Sequence, residues 1–290
     1  MTKLCNPHLY YVGGCLRDEI IGIPSFDVDY CFEGNAIEEF TSDKYDVVKV
    51  NPSFGTVRIR LEDVGEIDIA STREENYPRK GHLPEVFNIG CSLKSDLKRR
   101  DFTINTLARS TASNGELVDY YDAQGDIEKK LLRVLHEESF IDDPSRIIRG
   151  LKFSVRLGFS LEEKTKELQD EYLANINYDM SYHRLKKELV ETFSLNKQKA
   201  YDEFVNQGIY KLLAPNQEIH PIKTSIEDFI NQNPTKHAWL IYLAQFDLSR
   251  LELTRQEKKI LEWAERLKTE KPTNNTPFES VLINKLQKEN

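Results

Sequence analysis

The sequence predicts an α+β protein: a small mixed sheet with helices over residues 1–135, then helices alone to the end. Three observations carry this. In the first third, apolar residues recur at every second position in short runs. From about residue 140 they recur at every third or fourth. Glycines, prolines and capping residues stand where these periods break.

The elements follow in order. A helix runs from Gly13-Gly14 to about Ile21, where Gly22-Ile23-Pro24 stops it. In Phe26-Asp27-Val28-Asp29-Tyr30-Cys31-Phe32, Phe26, Val28, Tyr30 and Phe32 share one strand face, and Asp27, Asp29 and Cys31 the other. Asn35 is a candidate N-cap for a helix carrying Ala36, Ile37 and Phe40. Thr56–Leu61 turns Val57, Ile59 and Leu61 inward, and Glu66–Ala70 is a third such strand. Polar outer faces predict a sheet covered by helices on one face. Ile148, Leu151, Val155 and Phe159 then line one helix face, opened by Asp142-Asp143-Pro144 and stopped by Gly158. Further helices are read at Leu185, Leu189 and Phe193, at Trp239–Phe246 and at Leu261–Leu267. Pro272–Pro277 reads as a linker before a short last helix.

A length of 290 residues holds a hydrophobic core without disulfide or metal staples. Forty basic against 48 acidic residues give a net charge of −8, which excludes a uniformly basic nucleic-acid coat but not a local basic face. No run approaches the roughly 18 apolar residues of a membrane span, and the start lacks a signal-peptide core. Cys5, Cys15, Cys31 and Cys91 form no CxxC pair, and the six histidines form no cluster with ligand spacing. A reduced, cytoplasmic chain without membrane association is expected.

Four segments could carry chemistry. Asp27 and Asp29 put two carboxylates side by side on one strand face, where a divalent cation such as Mg²⁺ would relieve their repulsion. Asp68 could complete a three-carboxylate site, able to hold two metals for in-line phosphoryl transfer. Asp-Val-Asp alone is also a common solvated edge. Second, Gly13-Gly14 between a strand and a helix lets backbone N–H groups approach a phosphate, with Arg17 as a charged fork. Third, Asp96–Asn105 brings Arg99, Arg100 and Asp101 together, donors and an acceptor for a triphosphate and a ribose hydroxyl; in isolation it would be a surface ion pair. Fourth, Arg146, Arg149, Lys152 and Arg156 form one basic stripe beside the apolar face of their helix. Asp143 and Arg146, three apart, offer an acceptor and donors that suit the base edges of C and A. The plain alternative is a solvated charged face.

In this order and spacing the segments resemble the bacterial tRNA nucleotidyltransferase and poly(A) polymerase family. Val12–Asp18 followed by Asp27-Val28-Asp29 is similar to its glycine-rich turn and metal-binding strand, and Glu66–Arg73 to its next acidic strand. Tyr77–Val86 resembles its flexible loop. Arg99-Arg100-Asp101-Phe102-Thr103-Ile104-Asn105 resembles its ribose-contacting segment. Asp122–Asp126 with Leu132-Arg133 resembles the hinge between head and neck, Phe140–Phe159 the base-reading neck helix, and Arg184–Leu189 the motif that closes the neck. The resemblance covers residues 10–193. It implies a polymerase β-like nucleotidyltransferase head over 1–135, a helical neck over 136–195 and a short helical body over 196–290 with no tail domain. It implies that Asp27 and Asp29 bind two Mg²⁺ ions and activate a primer 3′-hydroxyl, with Asp68 as third carboxylate. Gly13, Gly14, Arg17, Arg99, Arg100 and Asp101 would hold the triphosphate and sugar. Asp143 and Arg146 would pair with the base of CTP or ATP, and Arg149 would reach the phosphates.

The implied activity is template-independent addition of C, A or both to tRNA 3′ ends. A poly(A) polymerase on general RNA, a transferase acting on a small molecule and an inactive RNA-binding relative are the competing readings. Two positions depart from the family's usual pattern: Asp142 stands where Glu is usual, and Thr106 where Ala is usual. With a net charge of −8, RNA contacts are expected to fall on the Arg146 stripe and on Lys98-Arg99-Arg100.

Overall fold

A computed structural model of the protein describes residues 4–25, 28–42, 44–112, 115–213, 219, 222 and 224–289. The chain divides into two compact units, Met1–Asp142 with Ser160–Lys166, and Asp143–Phe159 with Glu167–Asn290.

In the first unit, β1 (Leu9–Val12) leads through Gly13 into α1 (Gly14–Ile21), which Gly22 ends in a left-handed conformation. Then come β2 (Asp29–Phe32) and α2 (Ala36–Phe40), capped by the Asn35 side chain on the Ile37 N–H. β3 (Asp46–Asn51), β4 (Thr56–Leu61) and β5 (Gly65–Ser71) follow as a meander. β6 (Arg73–Asn76) and β7 (Glu85–Ile89) pair as a separate antiparallel ribbon flanking residues 77–84. After α3 (Leu93–Lys98) come β8 (Ala108–Ser110), β9 (Leu117–Val118), α4 (Ala123–Glu128), β10 (Leu131–Leu132) and α5 (Ser139–Asp142). The sheet order is β3-β4-β5-β2-β1-β8-β9; β2 and β5 run parallel and the other neighbours antiparallel.

Both faces of this sheet are packed. Leu9, Phe32, Phe40, Val57, Ile59, Ile67 and Ile69 form one core beneath α2. On the other face Val12, Cys31 and Ala108 pack against Leu93 and Leu97 of α3. This corrects the expected polar face of the second strand. Cys31 is buried because α3 covers it, whereas Val28, expected to face inward, is exposed. Alternation reports which residues share a face; it does not report that both faces are covered.

The second unit opens with α6 (Ser145–Leu157), ended by Gly158 in a left-handed conformation. Phe159 lies past the end of the helix and is buried. β11 (Ser160–Leu161) returns to the first unit and pairs in parallel with β10. α7 (Glu163–Ala174), α8 (Tyr182–Thr192), α9 (Lys197–Asn206), α10 (Thr224–Gln232), α11 (Ala238–Leu243), α12 (Arg255–Arg266) and α13 (Phe278–Glu289) complete the chain. α8 and α9 pack on α6, and α13 on α11 and α12. Thr254 and Glu257 form a capping box at the start of α12. The last helix is 12 residues long, not the short one the sequence suggests.

Candidate active site

The predicted phosphate turn forms where β1 meets α1. Gly13 adopts φ 75°, ψ −125°, a backbone open to glycine. A Cβ there would stand 2.8 Å from Nη1 of Arg100, so the turn and that arginine pack directly together. Arg17 is buried rather than presented on the surface. Its guanidinium donates to Asp18 at 2.8 and 2.6 Å and to Oδ1 of Asn105 at 2.5 Å. It therefore ties the turn to the Arg99–Asn105 segment from below.

Below Arg99 and Arg100 lies a carboxylate that sequence reasoning passed over. Asp96 is fully buried. It accepts from Arg99 Nε at 3.0 Å and Nη2 at 2.8 Å, from Arg100 Nη2 at 3.4 Å and from the Arg73 N–H at 3.1 Å. Burial pushes its pKa up, but Arg99 and Arg100 outweigh that and hold it below the ordinary 3.8. The signal was the spacing of Asp96, Arg99 and Arg100 at three and four residues. Arg100 Nη1 also donates to the Asn105 carbonyl at 3.3 Å. Arg100 Nε is buried and has no hydrogen-bond partner among the described residues.

Asp101 turns inward instead of lining the cleft. Its Oδ1 accepts from the Phe102 N–H at 2.8 Å and from Asn105 Nδ2 at 2.9 Å. Thr103 donates at 2.6 Å to Asp126, which also accepts from Arg133 at 3.0 Å, joining this segment to the hinge residues. Thr106 is fully buried and donates to the Thr103 carbonyl at 2.7 Å, so its hydroxyl costs no unpaired group.

A cleft of about 400 Å³ opens above these residues. It brings together Asp29, Asp68, Arg99 and Arg100, with Lys49 and Arg58 from the neighbouring strands. Asp27 lies outside the described residues. Both oxygens of Asp68 accept from Arg58, at 2.8 and 2.6 Å. That hydrogen-bonded guanidinium holds the Asp68 carboxyl below its ordinary range, and Lys49 adds to the effect. Hard carboxylate oxygens suit Mg²⁺. Asp29 and Asp68 alone make no group of three potential ligands among the described residues.

Asp143, Arg146 and Arg149 belong to the second unit. Asp143 and Arg146 are both buried, with Arg146 Nε 3.9 Å from Asp143 Oδ2. Asp143 Oδ1 accepts from the Ser145 N–H at 3.1 Å and hydroxyl at 2.5 Å, and Oδ2 accepts from Arg184. Arg184 was read only as part of the neck-closing motif; in the structure it holds Asp143 together with Ser145.

Two residues of the basic stripe are paired across helices. Arg149 and Lys152 donate to Glu188 of α8 at 3.2 and 2.5 Å, and Lys152 to Glu191 at 2.7 Å. These two residues form a helix-to-helix ion-pair seam with acids some 40 residues along the chain, whereas Arg146 is buried and Arg156 exposed. Asp142, in place of the usual Glu, accepts from Lys80 Nζ at 2.5 Å, and its carbonyl from the Gly81 N–H at 2.9 Å. The 77–86 loop is thus fastened to α5.

Residues 9–133 match the family described as the poly A polymerase head domain. The A-adding tRNA nucleotidyltransferase of Aquifex aeolicus is 43% identical over 164 residues, 55% of this chain and 20% of that one. The A-adding tRNA nucleotidyltransferase of Halalkalibacterium halodurans is 35% identical over 199 residues, 64% of this chain and 46% of that one. Among solved structures, the Thermotoga maritima CCA-adding enzyme complexed with tRNA-CCA is 25% identical with a TM-score of 0.69. The match covers 95% of this chain and 73% of that one. The chain thus spans about a fifth of the first relative and under half of the second.

Proposed function

We propose a function from one premise: this chain belongs to the family of tRNA nucleotidyltransferases and poly(A) polymerases, through the head domain carried by residues 9–133. It transfers A, C or both from ATP and CTP to the 3′ end of tRNA without a nucleic-acid template. The observation that carries this is the joint cleft. A glycine turn packed on Arg100, whose buried Nε lacks a partner among the described residues, stands beside Asp29 and Asp68. A buried orphan donor beside a glycine turn suits an oxyanion that arrives with substrate. The A-adding names of the two relatives support ATP as a substrate.

In this reading Arg100 and the turn hold the triphosphate, and Asp96 keeps Arg99 and Arg100 in place. Asp27 and Asp29 would hold Mg²⁺, which when bound would lower the primer hydroxyl pKa and neutralise charge on the transferred phosphate. The primer 3′-hydroxyl attacks the α-phosphate in line and pyrophosphate leaves toward the turn. Asp68, held by Arg58, would be a third carboxylate beside that metal site. Asp143, fixed by Arg184 and Ser145, accepts from the exocyclic amine of C or A, and Arg146 donates to the ring edge.

The test is Asp29→Ala and, separately, Asp27→Ala in a primer-extension assay. Each is expected to lower transfer by roughly a thousandfold or more, with circular dichroism and melting unchanged. Normal turnover by either variant would remove the metal-site assignment.

A further inference from the structure

The same cleft carries two cations that the proposed reaction leaves without a task. Lys49 on β3 stands opposite Arg58 on β4, and Arg58 opposite Asp68 on β5. Asp29 is level with Asp68, since Tyr30 and Ile69 are register partners on β2 and β5. Directly opposed residues project to one face. Lys49, Arg58, Asp68 and Asp29 therefore form one row across four strands, two cations and then two carboxylates, and all four line the cleft. A bulge between Val47 and Lys49 sets this row. It lets Val47 pair with the core residue Ile59 while Lys49 stays on the cleft face beside Arg58.

We propose that Lys49 and Arg58 seat the last phosphodiester of the acceptor RNA. This rests on the reading of the chain as an RNA 3′-end nucleotidyltransferase. In an in-line displacement the attacking and leaving oxygens lie on opposite sides of phosphorus. The glycine turn follows β1, which neighbours β2 on the side away from β5. Pyrophosphate leaving toward the turn puts the acceptor over β5, β4 and β3, where the two cations are. Arg58 need not release Asp68 to serve. Its Nε and Nη2 hold the carboxylate, while Nη1 lies 3.9 Å from Glu66 Oε2, beyond hydrogen-bond distance, and keeps donors that can turn to an anion. Lys49 is exposed and makes no ion pair or hydrogen bond among the described residues. Asn51 and Thr56, opposed on the same strands and lining the same cleft, add neutral polar groups alongside.

The experiment uses the full chain and two RNA primers, one natural and one with a neutral methylphosphonate at the last linkage. Primer Kd and the KM values for primer and nucleotide are measured for the unmodified protein, Lys49→Ala, Lys49→Arg and Arg58→Lys. The methylphosphonate is expected to weaken binding by the unmodified protein about tenfold. Lys49→Ala loses about as much on natural primer and becomes indifferent to the methylphosphonate. Lys49→Arg restores the sensitivity, Arg58→Lys weakens primer binding in the same direction, and nucleotide KM stays unchanged in the Lys49 variants. If Lys49→Ala binds natural primer as tightly as the unmodified protein, or keeps the full methylphosphonate penalty, the seat is refuted while the transferase reading stands. If the unmodified protein adds no nucleotide, the transferase reading fails instead, and the binding half still decides the seat.

Discussion

At the scale of single residues, Gly13 shows how a turn and a charged group are made to share space. Its φ of 75° disfavours any side chain, and a Cβ would press on Arg100 at 2.8 Å. Gly13→Ala is expected to cost on the order of 1–3 kcal/mol in backbone strain. By displacing Arg100 it should raise nucleotide KM more than it lowers the melting temperature. Thermal melts and steady-state kinetics on one preparation separate the two effects. An unchanged KM would mean that Arg100 does not hold the triphosphate. The sequence showed Gly13, Arg17 and Arg100 as candidates, because their motifs are contiguous. It did not show that Arg17 is turned inward onto Asp18 and Asn105, because Asn105 lies 88 residues away. Nor did it show that Asp101 spends its carboxylate on its own turn.

At the scale of elements, α3 does two things. Leu93 and Leu97 cover the second face of the sheet, and Asp96 between them anchors two arginines. Asp96→Asn should destabilise the protein by about 3 kcal/mol at neutral pH, because it removes the buried carboxylate that pairs with Arg100 and shares Arg99 with Glu75. The sign of the pH dependence follows from the depressed pKa of Asp96. A carboxylate lowered in the folded state stabilises above its ordinary value and loses that contribution as pH falls through the folded value. The stability difference between the unmodified protein and Asp96→Asn should therefore be full near pH 6 and shrink below about pH 4. Urea melts at both ends of that range read it, and a difference that grew on acidification would contradict the assignment. The periodicity of α6 was legible, since Ile148, Leu151 and Val155 are buried as their spacing requires. The fate of its basic residues was not. Glu188 and Glu191, which pair with Arg149 and Lys152, sit on α8, and no local pattern links the two helices. The β6–β7 ribbon was also missed; polar residues fill β6, and Val86, Phe87 and Ile89 of β7 do not alternate strictly with polar ones.

At the scale of the whole molecule, the mixed sheet over the first third and the helices after it were legible from the change of period alone. The return of residues 160–166 to the first unit was not, because β10 and β11 are two residues each and carry no periodic signal. Where the sequence sets its first boundary at residue 135, the first unit runs on to Asp142, with α5 fastened to the 77–86 loop through Lys80. Among the described residues no helix is long and apolar enough to cross a membrane. The central claim is that this chain extends tRNA 3′ ends, and one measurement tests it most directly. The purified 290-residue chain with Mg²⁺ is offered tRNA primers ending at the discriminator base, at C and at CC, beside an unstructured RNA, with CTP and ATP supplied separately and together. The account predicts addition to tRNA that stops after a defined few nucleotides, with A joined to the CC-ended primer or C to the shorter ones. Long A tails on any RNA, or no addition to any primer, would contradict it.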